Sequence, residues 1–429
     1  MRIRSITYFC NPRWPLEEKV IQTAGDFLAQ AKPAFEAEGY EVQTTRLATV
    51  PFPKLFRRNK DATSSKGAAK EAVADKLLDQ TPRLAEELEK LIQQAGIAYA
   101  ALGPALPESP HSYEVIPEGL AATKNIFFSG AMTGSRPSDS KIYLSAVRAC
   151  AEVFVKSAPL DPNGFANLRF AALANVKPGS PFFPAAYQRG NRPGFAIATE
   201  AADLAVKAFE GTKSMEEGRR ALIAEIEKHG KAIARISKEL VRISRKRRTA
   251  IKFGGIDFSL APFPEETQSI GTAFERMGIP KIGMHGSLTA AGILTEAIER
   301  ADFPRTGFSG LMMPVLEDST LAGRAADGTL TVKDVLLYSA VCGTGLDTVP
   351  LPGDTRAEQI APLLMDLCML ALRLNKPLTA RLMPIPGKSA GEPTSFDFGF
   401  FANSKVMALE AAPLATLLSG SEILPIKKR

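Results

Sequence analysis

The sequence contains few of the features that mark secreted, metal-bound or membrane-embedded chains. Only four of its 429 residues are cysteines, and no two of them form a C-x-x-C pair. This spacing argues against a zinc knuckle, an iron–sulfur site and a disulfide framework. No stretch is long and apolar enough to cross a membrane, and the N-terminal MRIRSITYFC does not resemble a secretion signal. We therefore expect a cytoplasmic protein without a membrane partner.

The formal net charge of +7 comes from two short basic clusters. Five cations lie within residues 242–248, and three more occupy residues 427–429. Cations are favourable at the C-terminal end of a helix, so a solvated helix end explains the first cluster without a ligand, although a phosphate-binding patch is the alternative. No aromatic residues alternate with these cations, as they do in surfaces that stack nucleic-acid bases. We expect no nucleic-acid partner.

Strand and helix patterns alternate along most of the chain. Alternating apolar residues predict a first strand in RIRSITYF, and helical periodicity follows in residues 16–38. No clear linker interrupts this alternation, which favours one α/β barrel of about ten strands over two unrelated domains. The predicted half-barrels are residues 1–212 and 249–410, and a C-terminal hairpin is expected at residues 395–407.

A long helix is predicted to join the two halves over residues 214–248. Ser214 and Glu217 have the spacing of a capping box, and an Ile and Leu stripe that includes Ile233 and Ile236 follows at helical intervals. Such a stripe packs either against the barrel or across the interface of a homodimer. We expect a homodimer.

The stretch SAVCGTGLDTVPLPGDT, residues 339–355, is the most unusual in composition. Its glycines can end the preceding helix, and residues 346–351 then form a short buried strand. Cys342 lies at one end of this strand and Asp354 at the other. Since α/β folds carry their chemistry at strand ends, this passage is a candidate site.

Polar residues recur where further strands are predicted to end, and each has a structural alternative. His285 is a general acid or base, or an imidazole bonded to a loop carbonyl. Cys342 is an activated thiol, or a small buried apolar side chain. Glu317 and Asp318 are a metal-binding or proton-transfer pair, or helix caps. Arg381 stands in an apolar run and needs a carboxylate partner, which is either an aspartate of the chain or a substrate anion.

These residues are expected to gather in one cleft, because the ends of consecutive parallel strands share a face. Arg381 would then offset nearby carboxylates and leave room for an anionic ligand, or a divalent metal ion would take over part of that role. The predicted catalytic residues are Asp257, His285, Cys342 and Asp347; the predicted substrate-binding residues are Ser287, Asp354 and Arg381; the predicted metal ligands are Glu317 and Asp318.

The motifs GGIDFSLAPFP, GMHGSLTAAGILTEAI, SGLMMPVLED, SAVCGTGLDTVPLPGDT and ARLMPIPG together resemble the family called domain of unknown function 711. Its members are also labelled PFL family, because their fold is similar to the ten-stranded α/β barrel of pyruvate formate-lyase. The resemblance implies this barrel, and the candidate residues lie on the recurring motifs. It does not imply a glycyl radical, since Gly387, Gly391 and Gly399 lack the RVxG context and Cys342 has no adjacent cysteine.

Three functions are compatible with these observations. The first is an enzyme that acts by proton transfer on a small carboxylate-bearing metabolite. The second is a ligand-binding or regulatory protein on a disused enzyme barrel, and the third is a radical enzyme, which the missing motif disfavours. The sequence does not specify a cofactor.

Overall fold

A computed structural model of the chain describes residues 1–56, 76–134, 140–246 and 250–428. Its strands are β1 Arg2–Phe9, β2 Val42–Pro51, β3 Tyr99–Gly103, β4 Ile126–Ala131, β5 Lys141–Tyr143, β6 Phe170–Ala174, β7 Gly194–Glu200, β8 Lys252–Asp257, β9 Gly345–Pro352, β10 Leu378–Ile385 and β11 Ile423–Pro425.

Helices alternate with these strands. They are α1 Glu18–Glu36, α2 Phe52–Leu55, α3 Thr81–Gln94, α4 His111–Glu114, α5 Ile116–Ala122, α6 Leu144–Ser157, α7 Ala202–Ala208, α8 Met215–Lys246, α9 Ile270–Arg276, α10 Ser287–Arg300, α11 Ser319–Ala326, α12 Val332–Tyr338 and α13 Ala357–Arg373. None of the helices in the described ranges is both long and apolar enough to cross a membrane.

Nine strands form one mixed sheet in the order β8-β7-β1-β2-β3-β4-β6-β10-β9. The strands β1, β2, β3, β4 and β6 run parallel to one another. The pairs β7-β8 and β9-β10 are each parallel internally, but run antiparallel to their neighbours β1 and β6. The mixed α/β class is as predicted. The assumption of uniformly parallel strands is wrong, because the carboxyl ends of β7, β8, β9 and β10 point the opposite way from those of β1, β2, β3, β4 and β6.

An extended segment, residues 310–316, lies between the two edge strands of this sheet. Leu311 forms an isolated parallel bridge with Leu260, just after β8, and Pro314 forms another with Asp347 on β9. Pro314 has no backbone N–H, and Gly310 packs directly against the backbone of Gly343, so the segment pairs only at single positions.

The long connection between β6 and β7, residues 177–192, packs on one face of the sheet. Phe183 and Ala186 join Phe9 and Ala48 in a buried cluster on that face. The alternate side chains of β1, such as Ile6, instead join the large cluster that also contains helix residues. This connection therefore covers the sheet face opposite the helices.

The long helix α8 is present as predicted. Ser214 accepts a hydrogen bond from the Glu217 backbone N–H at 3.2 Å, so it caps the helix. Ile233 and Ile236 are 0% and 6% exposed within the single chain, which makes the stripe part of the core. The predicted end of the helix at Arg248 lies outside the described residues, as does Arg429 in the second basic cluster.

The C-terminal hairpin is not a regular one. Residues 391–406 fold back on themselves through one isolated antiparallel bridge, Pro393 to Lys405, and no ladder strand forms within this part of the described chain. Asn403 instead holds the turn, because its amide bonds the backbone of Phe396 in both directions. The final strand β11 pairs with β5 in a separate two-stranded sheet.

Candidate functional site

A cavity of about 220 Å³ lies on the sheet face that the 177–192 connection covers. Arg46 of β2, Tyr99 of β3 and Phe127 of β4 line one side of it, and Asp347 of β9 and Arg381 of β10 line another. Residues of one face recur every second position along a strand, so Arg46 shares the inner face with Ala48. The cavity is thus built by the sheet itself.

Glu317 lies at the centre of the charged groups. Its Oε1 accepts a hydrogen bond from Arg381 Nη2 at 2.6 Å, and its Oε2 accepts one from Arg4 Nη2 at 2.5 Å. Burial alone would raise the pKa of Glu317, but the two guanidinium groups outweigh burial and hold the pKa below its usual range. Glu317 is therefore a fixed negative charge that positions two arginines.

Asp347 shares the same arginine but has the opposite shift. Its Oδ1 accepts a hydrogen bond from Arg381 Nε at 2.5 Å. Burial raises the pKa of Asp347, and the single guanidinium beside it does not offset that effect. Asp347 therefore retains a proton at pH values where an ordinary aspartate has lost it.

A bulge in the pairing of β9 with β10 orients these side chains. Ala380 pairs with Leu346 and Leu382 pairs with Val349, so Arg381 alone lies opposite two residues of β9. Thr348, the second of those two residues, has a φ of 43°, a left-handed conformation that is costly for a β-branched side chain. The strained backbone of β9 is therefore directly next to Asp347.

Arg4 extends the ion-pair network to the other edge of the site. Its Nη1 donates to Glu200 Oε2 at 2.6 Å, and Arg4 itself is the extra residue of a bulge between β1 and β7. The network runs from Glu200 through Arg4, Glu317 and Arg381 to Asp347. Partly and fully buried ion pairs therefore join β7, next to one edge of the sheet, to β9 at the other edge.

Arg46 is a cation of the cavity that was not predicted. Its Nε donates to Thr44 Oγ1 at 2.8 Å, and no carboxylate of the described chain pairs with it. Burial, and then the positive charge of Arg4, lower the pKa of Arg46 to about 9. The available signal was the run of consecutive polar residues QTTR within β2. Among predominantly apolar strands, an inward-facing arginine indicates a ligand or an acid partner.

Aromatic rings support the arginines of the cavity. The Arg46 guanidinium lies 5.0 Å from the ring centre of Phe183, and that of Arg381 lies 5.7 Å from Phe182. Arg4 lies 5.5 Å from the ring of Phe400. Such rings form apolar walls and stabilise cations through their π faces. The cavity can therefore hold a molecule with both an anionic group and an apolar body.

Asp257 and Asp318 were predicted to be functional, but their carboxylates accept hydrogen bonds from nearby backbone and hydroxyl groups. Asp257 accepts hydrogen bonds from the backbone N–H groups of Phe308 and Ser309 and from the Ser259 hydroxyl. Asp318 caps α11 and also bonds the start of α9. Neither residue lines the cavity. Their carboxylates hold loops in place.

Glu317 and Asp318 do not form the predicted metal-ligand pair. Adjacent residues of an extended backbone point to opposite sides, so Glu317 faces the arginines and Asp318 faces the helix ends. No group of three or more His, Cys, Asp or Glu side chains in the described ranges is arranged to hold a metal ion. The predicted alternative for Asp318, a helix cap, is what the structure has.

The remaining predicted residues also lie away from the cavity. His285 is exposed in a turn, and the Ser287 hydroxyl donates to the Met284 carbonyl of the same turn at 2.7 Å. Cys342 is buried just after the end of helix α12, and Asp354 is exposed after β9. The structure therefore brings together Glu317, Asp347 and Arg381 and separates the other residues from them.

Similar proteins span nearly the whole chain. The profile of the family described as Uncharacterised ACR (DUF711) matches residues 1–403. A UPF0210 protein of Pyrobaculum aerophilum is 28% identical over 99% of this chain and 93% of its own length. A UPF0210 protein of Oleidesulfovibrio alaskensis is 30% identical, over 77% of this chain and 74% of its own. The resemblance seen in the motifs is confirmed, and the chain belongs to the DUF711 (UPF0210) family.

Proposed function

We propose that the protein is an enzyme that transfers protons to and from a small carboxylate-bearing metabolite in this cavity. One observation carries the proposal. Glu317 and Asp347 are hydrogen-bonded to the same guanidinium, yet the pKa of Glu317 is lowered and the pKa of Asp347 is raised. Two carboxyl groups with separated pKa values are the arrangement that acid/base enzymes use to divide roles between an ionised group and a proton donor.

Asp347 is the proton donor in this account. Its Oδ1 is held by Arg381, whereas its Oδ2 has no hydrogen-bond partner in the described chain and Asp347 lines the cavity. The carboxyl group gives its proton to the bound metabolite, and the carboxylate that remains is stabilised by Arg381. In the reverse step it accepts a proton from the metabolite. Glu317 remains ionised throughout and positions Arg4 and Arg381.

The fold suits such a site if the sheet closes around it. Residues 310–316 bridge to Leu260 beyond one edge strand and to Asp347 on the other edge strand. These contacts support a ten-stranded barrel of the pyruvate formate-lyase type, with the segment as the tenth strand. Closure would exclude water from the cavity and strengthen each electrostatic contact in it.

Hydrogen exchange in deuterated water tests the proposal with a panel of candidate substrates. The panel consists of small carboxylates, each incubated with the protein, and incorporation of deuterium at carbon is followed by mass spectrometry. We expect exchange in one or more members of the panel, and Asp347→Asn should slow it by about 10²- to 10⁴-fold. Asp327→Asn is the matched control, since Asp327 is a surface carboxylate bonded to Thr329 and Lys281.

Full exchange in Asp347→Asn would contradict the assignment of Asp347. A non-catalytic ligand-binding protein is the second candidate. The charge of Arg46, which has no carboxylate partner in the described chain, favours it, because a bound anion would pair with that charge without any chemistry. Native mass spectrometry of freshly purified protein separates the two functions. A retained small anion together with no exchange in the panel indicates a binder.

A further inference from the structure

The cation of Arg46 differs from the other cations of the cavity. Arg4 and Arg381 are each bonded to two carboxylates. Arg169 donates to the carbonyl oxygens of Leu120 and Ile126, and so completes the end of a helix. Arg46 has Nη1 and Nη2 groups that donate no hydrogen bond within the described chain. Lys124 also lines the cavity but is an exposed residue, so Arg46 is the partly buried cation of the described cavity that remains available to a ligand.

The surroundings of Arg46 are aromatic. Its guanidinium lies between the rings of Phe183 and Tyr99, at 5.0 and 5.9 Å. Phe127 contacts both of these rings edge to face, with centres 5.4 Å apart in each pair. A further flat ring beside them can form the same offset or edge contacts, which a saturated ring of equal size forms less well.

The volume limits the size of the ligand. An apolar cavity of about 150 Å³ holds a benzene molecule. At about 220 Å³, this cavity has room for one ring and a carboxylate. A second negative charge on the ligand would lie near Glu317 or Asp347, which already occupy Arg4 and Arg381. Arg46 can therefore pair with one anionic group on the ligand.

We propose that Arg46 receives the carboxylate of a small aromatic monocarboxylic acid, whose ring packs against Tyr99, Phe127 and Phe183. This inference rests on the proposed function only in using the same cavity, and it names the class of molecule that the site takes. The two Nη groups of Arg46 donate to the two carboxylate oxygens, a geometry that a guanidinium favours.

Calorimetric titration of the full-length chain with benzoate tests this inference. Benzamide has the same shape without the charge, and cyclohexanecarboxylate has the charge without the aromatic ring. We expect benzoate to bind at least several-fold more tightly than either compound. Arg46→Met should weaken benzoate binding by about tenfold or more, because it removes a charge-assisted contact and keeps the length of the side chain.

Arg305→Met is the matched control. Arg305 also lies on an aromatic ring, 4.4 Å from Phe303, and also lacks a carboxylate hydrogen bond, but it is outside the cavity. It should leave benzoate binding unchanged. Absent or equal binding of benzoate and benzamide overturns the inference, as does an Arg46→Met affinity equal to that of the wild type. If Arg46→Met fails to fold, the comparison of the three compounds on the wild-type protein decides alone.

These outcomes are separate from those of the proposed function. The titration measures affinity and involves no proton transfer, so loss of exchange in Asp347→Asn with no preference for benzoate would retain the enzyme and reject the aromatic ligand. A benzoate preference that depends on Arg46, without any exchange in the carboxylate panel, would retain the aromatic ligand and reject the enzyme.

Discussion

Arg381 Nε donates to Asp347 Oδ1 at 2.5 Å across a bulge between two neighbouring strands. The bulge places two residues of β9 opposite Arg381, and the same guanidinium reaches Glu317 through Nη2. One buried cation thus connects a carboxyl group that favours its proton with one that does not. The proposed proton transfer depends on this asymmetry.

Removal of the Glu317 charge should destabilise the protein strongly. Glu317→Gln leaves Arg4 and Arg381 without their shared partner, and breaking a buried pair in this way costs about 3–5 kcal/mol of unfolding free energy. Urea denaturation measures the loss. Glu275→Gln is the control, since Glu275 pairs with Arg324 near the surface and should cost only about 0–1 kcal/mol. Equal costs for the two variants would show that Glu317 is not central to the network.

The contributions of Glu317 and Asp347 to the stability of the protein should change with pH in opposite directions. The folded pKa of Glu317 is lowered, so its stabilisation is present above the ordinary value of about 4.3 and is lost as the pH falls through the folded pKa. The folded pKa of Asp347 is raised, so its stabilisation is present below about 3.9 and is lost as the pH rises through the folded pKa.

Denaturation at several pH values checks this expectation. The difference between wild type and Glu317→Gln should shrink as the pH falls below about 4.3, the ordinary glutamate value. The difference between wild type and Asp347→Asn should shrink as the pH rises above about 3.9. Parallel pH dependences for the two variants would contradict the assigned shifts.

Gly307 should tolerate no side chain, because Asp257 occupies the space beside it. A Cβ on Gly307 would lie 2.1 Å from Asp257 Oδ2, and its φ of 65° also favours glycine. Gly307→Ala should therefore cost about 1–2 kcal/mol for the backbone and about 1–3 kcal/mol more for the overlap. Gly39→Ala has a similar φ of 84° with no atom within 4 Å, so thermal unfolding should show the backbone cost alone.

The buried stripe of the long helix should contribute to stability in proportion to burial. Ile233→Ala and Ile236→Ala should each cost about 2–5 kcal/mol, because both side chains are buried within the chain. Ile243 lies on the same helix but is only half-buried. Ile243→Ala should therefore lower the free energy of unfolding by less than the other two substitutions do. Unchanged melting of all three variants would place the stripe outside the core.

Much of the architecture could be predicted from the sequence, because apolar periodicity reports which residues are buried. Helix α8 and the strands around Leu346 and Leu382 follow from that pattern. Strand direction does not, since a strand has the same side-chain period whichever way it runs. Loops are not reported by the pattern either. β8, β9 and β10 run in the same direction, yet Asp257 at the end of β8 is bonded to backbone N–H groups and His285 lies in a turn, so neither lines the cavity.

The site was predictable to the extent that burial of a charge is visible in sequence. Arg381 stood in an apolar run and was correctly expected to need an anionic partner, and two carboxylates are there. Arg4 and Arg46 were missed, because neither the alternation around Arg4 nor the polar run QTTR around Arg46 distinguishes a side chain that faces solvent from one that faces a cavity. Only the packing of the 177–192 connection decides which face is enclosed.

Carbon-13 NMR titration of the side-chain carboxyls tests the central claim most directly, with Asp347→Asn and Glu317→Gln used to assign the two signals. The account predicts that the Asp347 signal titrates above its ordinary value of about 3.9 and the Glu317 signal below its ordinary value of about 4.3. Two ordinary pKa values, or the reverse order, would contradict it.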